Sequence, residues 1–125
     1  YEERYQLGSS TIHKNNLLLK NHFTTFEVNA VRLDDKIKNG SIGFIKIDVE
    51  GHERNVIDGS KQLIKDCKPN LLVEIEARYT NEKVEDIINY INNFDYKSYY
   101  SENKNLINTN KLRDFRLKNN YIFIS

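Results

Sequence analysis

Three groups of side chains in this sequence are of types that can move a proton or hold a polar ligand. The first is Asp48, Glu50, His52 and Glu53, in the string Ile45-Lys46-Ile47-Asp48-Val49-Glu50-Gly51-His52-Glu53. The second is Glu74 with Glu76, at the end of Leu71-Leu72-Val73-Glu74-Ile75. The third is Lys46, which shares a strand face with Asp48. Carboxylates and histidine serve as general bases. In open α/β sheets, reactive groups gather at the carboxyl ends of the strands. Acidic residues in such places also cap the helix that follows, and Glu53 suits that role. Asp48, Glu50 and His52 are ligand types that divalent ions accept. No metal-binding spacing accompanies them, and no metal site is expected. His13 and His22 lie in polar sequence and carry no role.

The elements that must position these groups alternate. Phe26, Val28 and Ala30 alternate with polar residues as a strand does, and Val31 and Leu33 continue the pattern. Leu33-Asp34-Asp35-Lys36-Ile37 suits a short helix with an aspartate near its start. Ile42 to Val49 is a near-continuous apolar strand of the kind buried on both faces. Alternation sends Lys46 and Asp48 one way, with Glu50 if the strand runs that far, and Ile45, Ile47 and Val49 the other. Residues 52 to 67 have helical spacing, interrupted at Gly59, so one kinked helix or two short ones fit. Lys68-Pro69 stops it. Leu71 to Ile75 is a second strand. Thr80 suits the N-cap of a helix to about Asn93, with Val84, Ile87, Ile88 and Ile91 on one face. Tyr96 to Tyr100 and Tyr121 to Ile124 read as a closing antiparallel pair. The order favours an α/β sheet with right-handed crossovers.

Composition narrows the classes. Nineteen basic residues against eighteen acidic give a formal charge of +1, which is no footprint for nucleic acid. The one cysteine, Cys67, excludes an internal disulfide and fits a reducing, cytoplasmic setting; a buried helix-end thiol is expected there. No apolar run is long enough to span a bilayer. The sequence has no methionine, and it reads as part of a longer protein.

The string Ile45 to Glu53, then Val56-Ile57-Asp58-Gly59, Lys68-Pro69 and Leu72-Val73-Glu74-Ile75, resembles the FkbM methyltransferase family in order and spacing. Val31-Arg32-Leu33-Asp34-Asp35 resembles the element that precedes that string. Gly8-Ser9-Ser10 resembles a small-residue segment upstream, and Asn120 to Ile124 the closing strand. The resemblance implies S-adenosylmethionine as cofactor and a Rossmann-like sheet, mostly parallel with an antiparallel last strand. Residues 1–125 would be the C-terminal part of one such domain. The family's Gly-rich turn after the first strand is absent. Gly40-Ser41-Ile42-Gly43 precedes a strand and cannot serve as that loop.

The resemblance further implies O-methylation of a hydroxyl on a sugar, glycan or secondary metabolite. Asp48 is then the candidate base or cofactor-facing group, Glu50 and His52 are acceptor-side groups, and Glu74 is an acceptor-binding group. A non-catalytic α/β module that binds a partner or a saccharide is the competing reading. Ile45 to Asp48 also resembles a strand of cyclic-dinucleotide phosphodiesterase barrels, whose other motifs do not follow.

Overall fold

The computed structural model describes residues 27–38 and 40–125. The expectations at Gly8–Ser10, Leu17–Leu19 and Phe26 fall outside them. The chain runs through α1 (Leu33–Lys36), β1 (Phe44–Ile47), α2 (Glu53–Asp58), α3 (Lys61–Cys67), β2 (Asn70–Glu74), α4 (Val84–Asn92), β3 (Lys97–Glu102), β4 (Asn105–Asn108) and β5 (Asn120–Ile124). Two 3-10 turns, Thr109–Lys111 and Phe115–Leu117, lie between β4 and β5.

The described strands form one sheet in the order β1-β2-β5-β3-β4. β1 pairs with β2 in parallel, Ile45 opposite Leu71 and Ile47 opposite Val73. The other pairings, β2–β5, β5–β3 and β3–β4, are antiparallel. The last strand is antiparallel to both neighbours, as the sequence suggested. The expectation of a mostly parallel sheet is not met among the described strands. β5 inserts between β2 and β3, which run in the same direction, and turns what could be one parallel contact into two antiparallel ones. The β3–β4 hairpin adds a third.

Alternation and register produce two unlike faces. One carries the rows Ile45–Leu71–Phe123–Ser98 and Ile47–Val73–Tyr121–Tyr100–Ile107. Ile57, Ile64, Ile87, Ile88 and Ile91 from α2, α3 and α4 pack into this face and are fully or almost fully buried. The other carries Lys46, Leu72, Ile122 and Tyr99 in one row, with Phe44 in the next. Phe44 is 58% exposed, so β1 is not buried on both faces. Its apolar run reflected β-branched content more than cover on both sides.

Gly59 separates two short helices, the second of the two readings of that segment. It closes α2, and a Cβ there would meet the Arg32 backbone at 3.7 Å. Arg32 Nη2 donates to the Asp58 carbonyl at 3.0 Å, and Asp34 N–H to the Gly59 carbonyl at 3.0 Å. The Asp34 carboxylate accepts from Leu63 N–H at 3.0 Å and Gln62 N–H at 3.2 Å. Asp34 therefore caps α3, a helix about thirty residues away in sequence. Ser60, in the local cap position, instead turns its hydroxyl back to the Val56 carbonyl at 2.7 Å.

Four expectations shift. Residues 27–32 form no strand, and Val28 and Val31 are exposed. The alternation there has no partner strand among the described residues. Thr80 accepts from Glu82 N–H in a turn, and α4 starts only at Val84. Cys67 is half-buried, with its thiol on the Gly40 carbonyl at 3.1 Å. β4 was not anticipated. It follows a two-residue turn in which Asn103 (φ 50°) and Lys104 (φ 64°) are both left-handed, the backbone of a hairpin turn usually marked by glycine.

Replacing Lys104 by glycine is expected to stabilise the protein by about 0.5 kcal/mol, since a left-handed penalty of about 1 kcal/mol is relieved and part is returned as chain entropy. Urea unfolding measures this directly. Asp34→Ala is expected to cost about 1 kcal/mol through loss of the α3 cap. Burial raises the Asp34 pKa, but the Leu63 and Gln62 N–H groups and Arg32 outweigh it and hold the group below the usual carboxylate range. Its contribution is complete above the unfolded-chain pKa and is lost as pH falls through the lower folded value. Asp34→Asn, which keeps one acceptor oxygen but no ionisable group, should flatten that acid loss in melts taken between neutral pH and strong acid.

Candidate functional site at the strand ends

The carboxyl ends of β1 and β2 lie side by side because the two strands are parallel. The register Ile47↔Val73 makes residues 48 and 74 the next in line, on the less covered face of the sheet. Asp48 is exposed, and its Oδ2 accepts from Lys46 Nζ at 2.7 Å. The Asp48 hydrogen bond and charge raise the Lys46 pKa. Glu74 is half-buried. Desolvation, then the Asp48 and Glu76 charges, push its pKa up, and a hydrogen bond with Glu76 adds to this. Glu76 is itself in an ion pair with Arg78, which raises the Arg78 pKa. Two cations, Lys46 and Arg78, thus pair with Asp48 and Glu76, and Glu74 stands beside both carboxylates.

Glu50 does not continue the Asp48 face. The strand stops at Ile47, and Glu50 (φ 45°) and Gly51 (φ 91°) make a left-handed turn into α2. Gly51 suits that backbone, whereas Glu50 adopts it at a steric cost. Glu50 is half-buried and close enough to Arg78 to raise its pKa. His52 stands at the N-cap of α2, with Nδ1 3.2 Å from the Asn55 side-chain amide. Glu53 is buried, and its Oε1 accepts from Gly51 N–H at 2.8 Å. That N–H belongs to the turn before α2, so Glu53 braces the turn and does not cap the helix as expected. Asp48 and Glu74 are therefore neighbours, while Glu50 and His52 stand on the turn that leaves β1. Among the described residues no group of three or more His, Cys, Asp and Glu could hold a metal ion.

A second polar cluster was not singled out from the sequence. The Arg54 guanidinium Nε donates to both Glu82 carboxylate oxygens at 2.8 Å and lies 4.1 Å from the Tyr90 ring centroid. The Tyr90 hydroxyl donates to Asp58 Oδ1 at 2.5 Å, and Lys61 pairs with the same oxygen at 2.9 Å. Tyr90 and Lys61 hold the Asp58 pKa down. This cluster ties α2 to α4 and to the start of α3. Asp58 belonged to the quoted string Val56–Gly59, but its partners are 3 to 32 residues away and no local spacing marks them.

Glu74→Gln tests the electrostatic description of the strand ends. A carboxyl whose folded pKa is raised contributes stability below its unfolded pKa, and that contribution is lost as pH rises through the folded value. The variant is therefore expected to gain stability over wild type near neutral pH and to match it at pH ~3.5, below the ordinary glutamate value. Paired thermal melts at the two pH values measure the difference; equal gains at both would contradict the raised value.

No curated protein and no solved structure matches this sequence. The model of the methyltransferase FkbM domain matches residues 3–98. That stretch takes in α1, β1, α2, α3, β2 and α4, and with them Asp48, Glu50, His52, Glu53 and Glu74. It ends within β3, so Asn120 to Ile124 lie beyond it. With well over half of its length matched, this chain belongs to the FkbM methyltransferase family.

Proposed function

We propose that this chain forms the acceptor-side part of an S-adenosylmethionine-dependent O-methyltransferase whose acceptor is a hydroxyl on a sugar, glycan or secondary metabolite. The observation that carries the reading is the coincidence of two facts. The family match covers Asp48 to Glu74, and those residues meet at the carboxyl ends of two adjacent parallel strands. Such ends are where open α/β sheets bind their ligands. Placement of the last strand, antiparallel between β2 and β3, supports a Rossmann-like methyltransferase sheet, of which residues 1–125 supply the later strands.

The fit to the cofactor is partial. Asp48 offers negative charge suited to the cationic end of S-adenosylmethionine. No described turn of Gly-rich type leads from a strand into a helix, so these residues provide no cradle for its nucleoside. When bound, S-adenosylmethionine supplies a methyl group already activated on a sulfonium. The chain's part is to place the acceptor oxygen in line with that methyl and to take its proton. Asp48 is the proposed base, with Lys46 fixing the orientation of its carboxylate. Glu50 and His52 hold the acceptor from the turn, and Glu74 binds a second acceptor hydroxyl from the neighbouring strand. A base in this role contributes on the order of 10²–10⁴-fold to the rate. Among the described residues no helix is long and apolar enough to cross a membrane. The reading keeps the chain in the cytoplasm, with no nucleic-acid partner.

The test is transfer of labelled methyl to a panel of sugars and polyols by the complete polypeptide that carries this chain. Asp48→Ala is expected to lower turnover by roughly 10²-fold or more while the melting profile is kept. Turnover at the wild-type rate would remove Asp48 from the mechanism. The 125 residues alone are expected to give no heat of binding with S-adenosylmethionine in calorimetry. If the complete polypeptide also binds no cofactor and transfers no methyl, the chain is a non-catalytic binding module.

A further inference from the structure

Glu53 is 1% exposed, and only one of its two carboxylate oxygens is used. Oε1 takes the Gly51 N–H at 2.8 Å, while Oε2 is buried with no hydrogen-bond partner among the described residues. A buried carboxylate oxygen without a donor opposes folding. An apolar residue of the same size would avoid that cost, so packing alone does not account for a glutamate here. What the glutamate does provide is an acceptor for the backbone of a strained turn. Glu50 and Gly51 are consecutive left-handed residues, and Glu50 reaches that region against its side-chain sterics. Conformations of this kind persist only where neighbouring groups over-determine them. Glu50 and Gly51 are also the two residues that end the β1 segment bearing Asp48 and start the approach to His52.

We infer that Glu53 is a positioning residue of the strand-end site: its buried carboxylate fixes the Glu50–Gly51 turn and so sets where the Asp48 and Glu50 carboxylates stand. The inference rests on the methyltransferase reading for its functional consequence, but not for its geometry. Glu53 touches neither the acceptor nor the cofactor. It acts through Gly51, and the inference needs only the acceptor function of Oε1. Glutamine retains that acceptor and leucine does not.

The experiment compares Glu53→Gln and Glu53→Leu with wild type in two ways. In the 125-residue chain, amide exchange at Gly51 and the carboxyl carbon resonances of Asp48 and Glu50 are followed by NMR. Leucine is expected to speed Gly51 exchange by about ten-fold, the worth of one hydrogen bond, and to move both carboxyl signals while cooperative melting survives. Glutamine is expected to leave all three near wild type. In the complete polypeptide, leucine is expected to lower kcat by roughly a hundred-fold, the scale of a misplacement of about 1 Å, and to change KM for S-adenosylmethionine far less. Glutamine should restore most of the rate. Unmoved Asp48 and Glu50 signals in the leucine variant would overturn the inference, as would wild-type kcat. So would loss of folding in both variants, which would make Glu53 a general support of the core. A wild-type polypeptide that transfers no methyl would remove the methyltransferase reading, and the resonances would still decide whether Glu53 positions the turn.

Discussion

Parallel pairing of β1 with β2 is the constraint on which the rest of the molecule depends. Two adjacent parallel strands cannot be joined by a tight turn, so the chain must cross back over the sheet. Here residues 48–69 make that crossover, and α2 and α3 are its body. The crossover decides which sheet face is covered, because Ile57 and Ile64 must bury against Ile47, Leu71 and Val73. It decides what stands at the strand ends, because the chain has to leave β1 through the Glu50–Gly51 turn at once. It also aligns the two carboxyl ends, so that Asp48 and Glu74 share one small volume. An antiparallel pairing of the same strands would have sent Glu74 to the opposite end of β1.

A crossover made of two short helices has little stability of its own. α2 has six residues and α3 seven, and neither has a side-chain cap from its own N-cap residue. The missing support comes from elsewhere in the chain. Asp34 closes the first turn of α3, and Arg32 takes the Asp58 carbonyl at the end of α2. On the other side, Arg54 and Asp58 bind Glu82 and Tyr90, with Phe94 set edge-on to the Tyr90 ring at 5.6 Å. The Arg54–Glu82 and Asp58–Lys61 pairs are partly exposed, and each adds little alone. Their shared use of the Tyr90 ring and hydroxyl gives the cluster its geometry.

What could be read in the sequence follows from the range of each interaction. The β-branched run around Ile45 and Ile47, the seven-residue recurrence of Ile57 and Ile64, and the i, i+3, i+4, i+7 pattern from Val84 to Ile91 are local and correctly gave strand, helix and helix. The antiparallel closing pair was legible from the absence of a helical stretch before Tyr121. β4 was not, because its turn is Asn103-Lys104 rather than Asn-Gly, and left-handed lysine carries no sequence signal. The strand expected from Val28 to Leu33 shows the reverse error. Alternation marks residues able to form a strand, but a ladder needs a neighbour, and none stands there among the described residues. At the site, the sequence shows which carboxylates stand near the strand ends. Their division of labour was not legible, since it depends on Lys46 taking Asp48, Arg78 taking Glu76 and Gly51 taking Glu53.

The charges at the strand ends work against one another. Burial first, and then the nearby Asp48 and Glu76 charges, raise the Glu74 pKa. A stability-driven sequence would place a neutral or basic residue at one of these positions, as cross-strand pairs of opposite charge are favoured and like charges disfavoured. Lys46 and Arg78 relieve part of the repulsion without removing it, because each is committed to the residue two places along its own segment. The left-handed glutamate at position 50 fits the same pattern, since strain and repulsion persist where the fold around them is rigid enough to impose both.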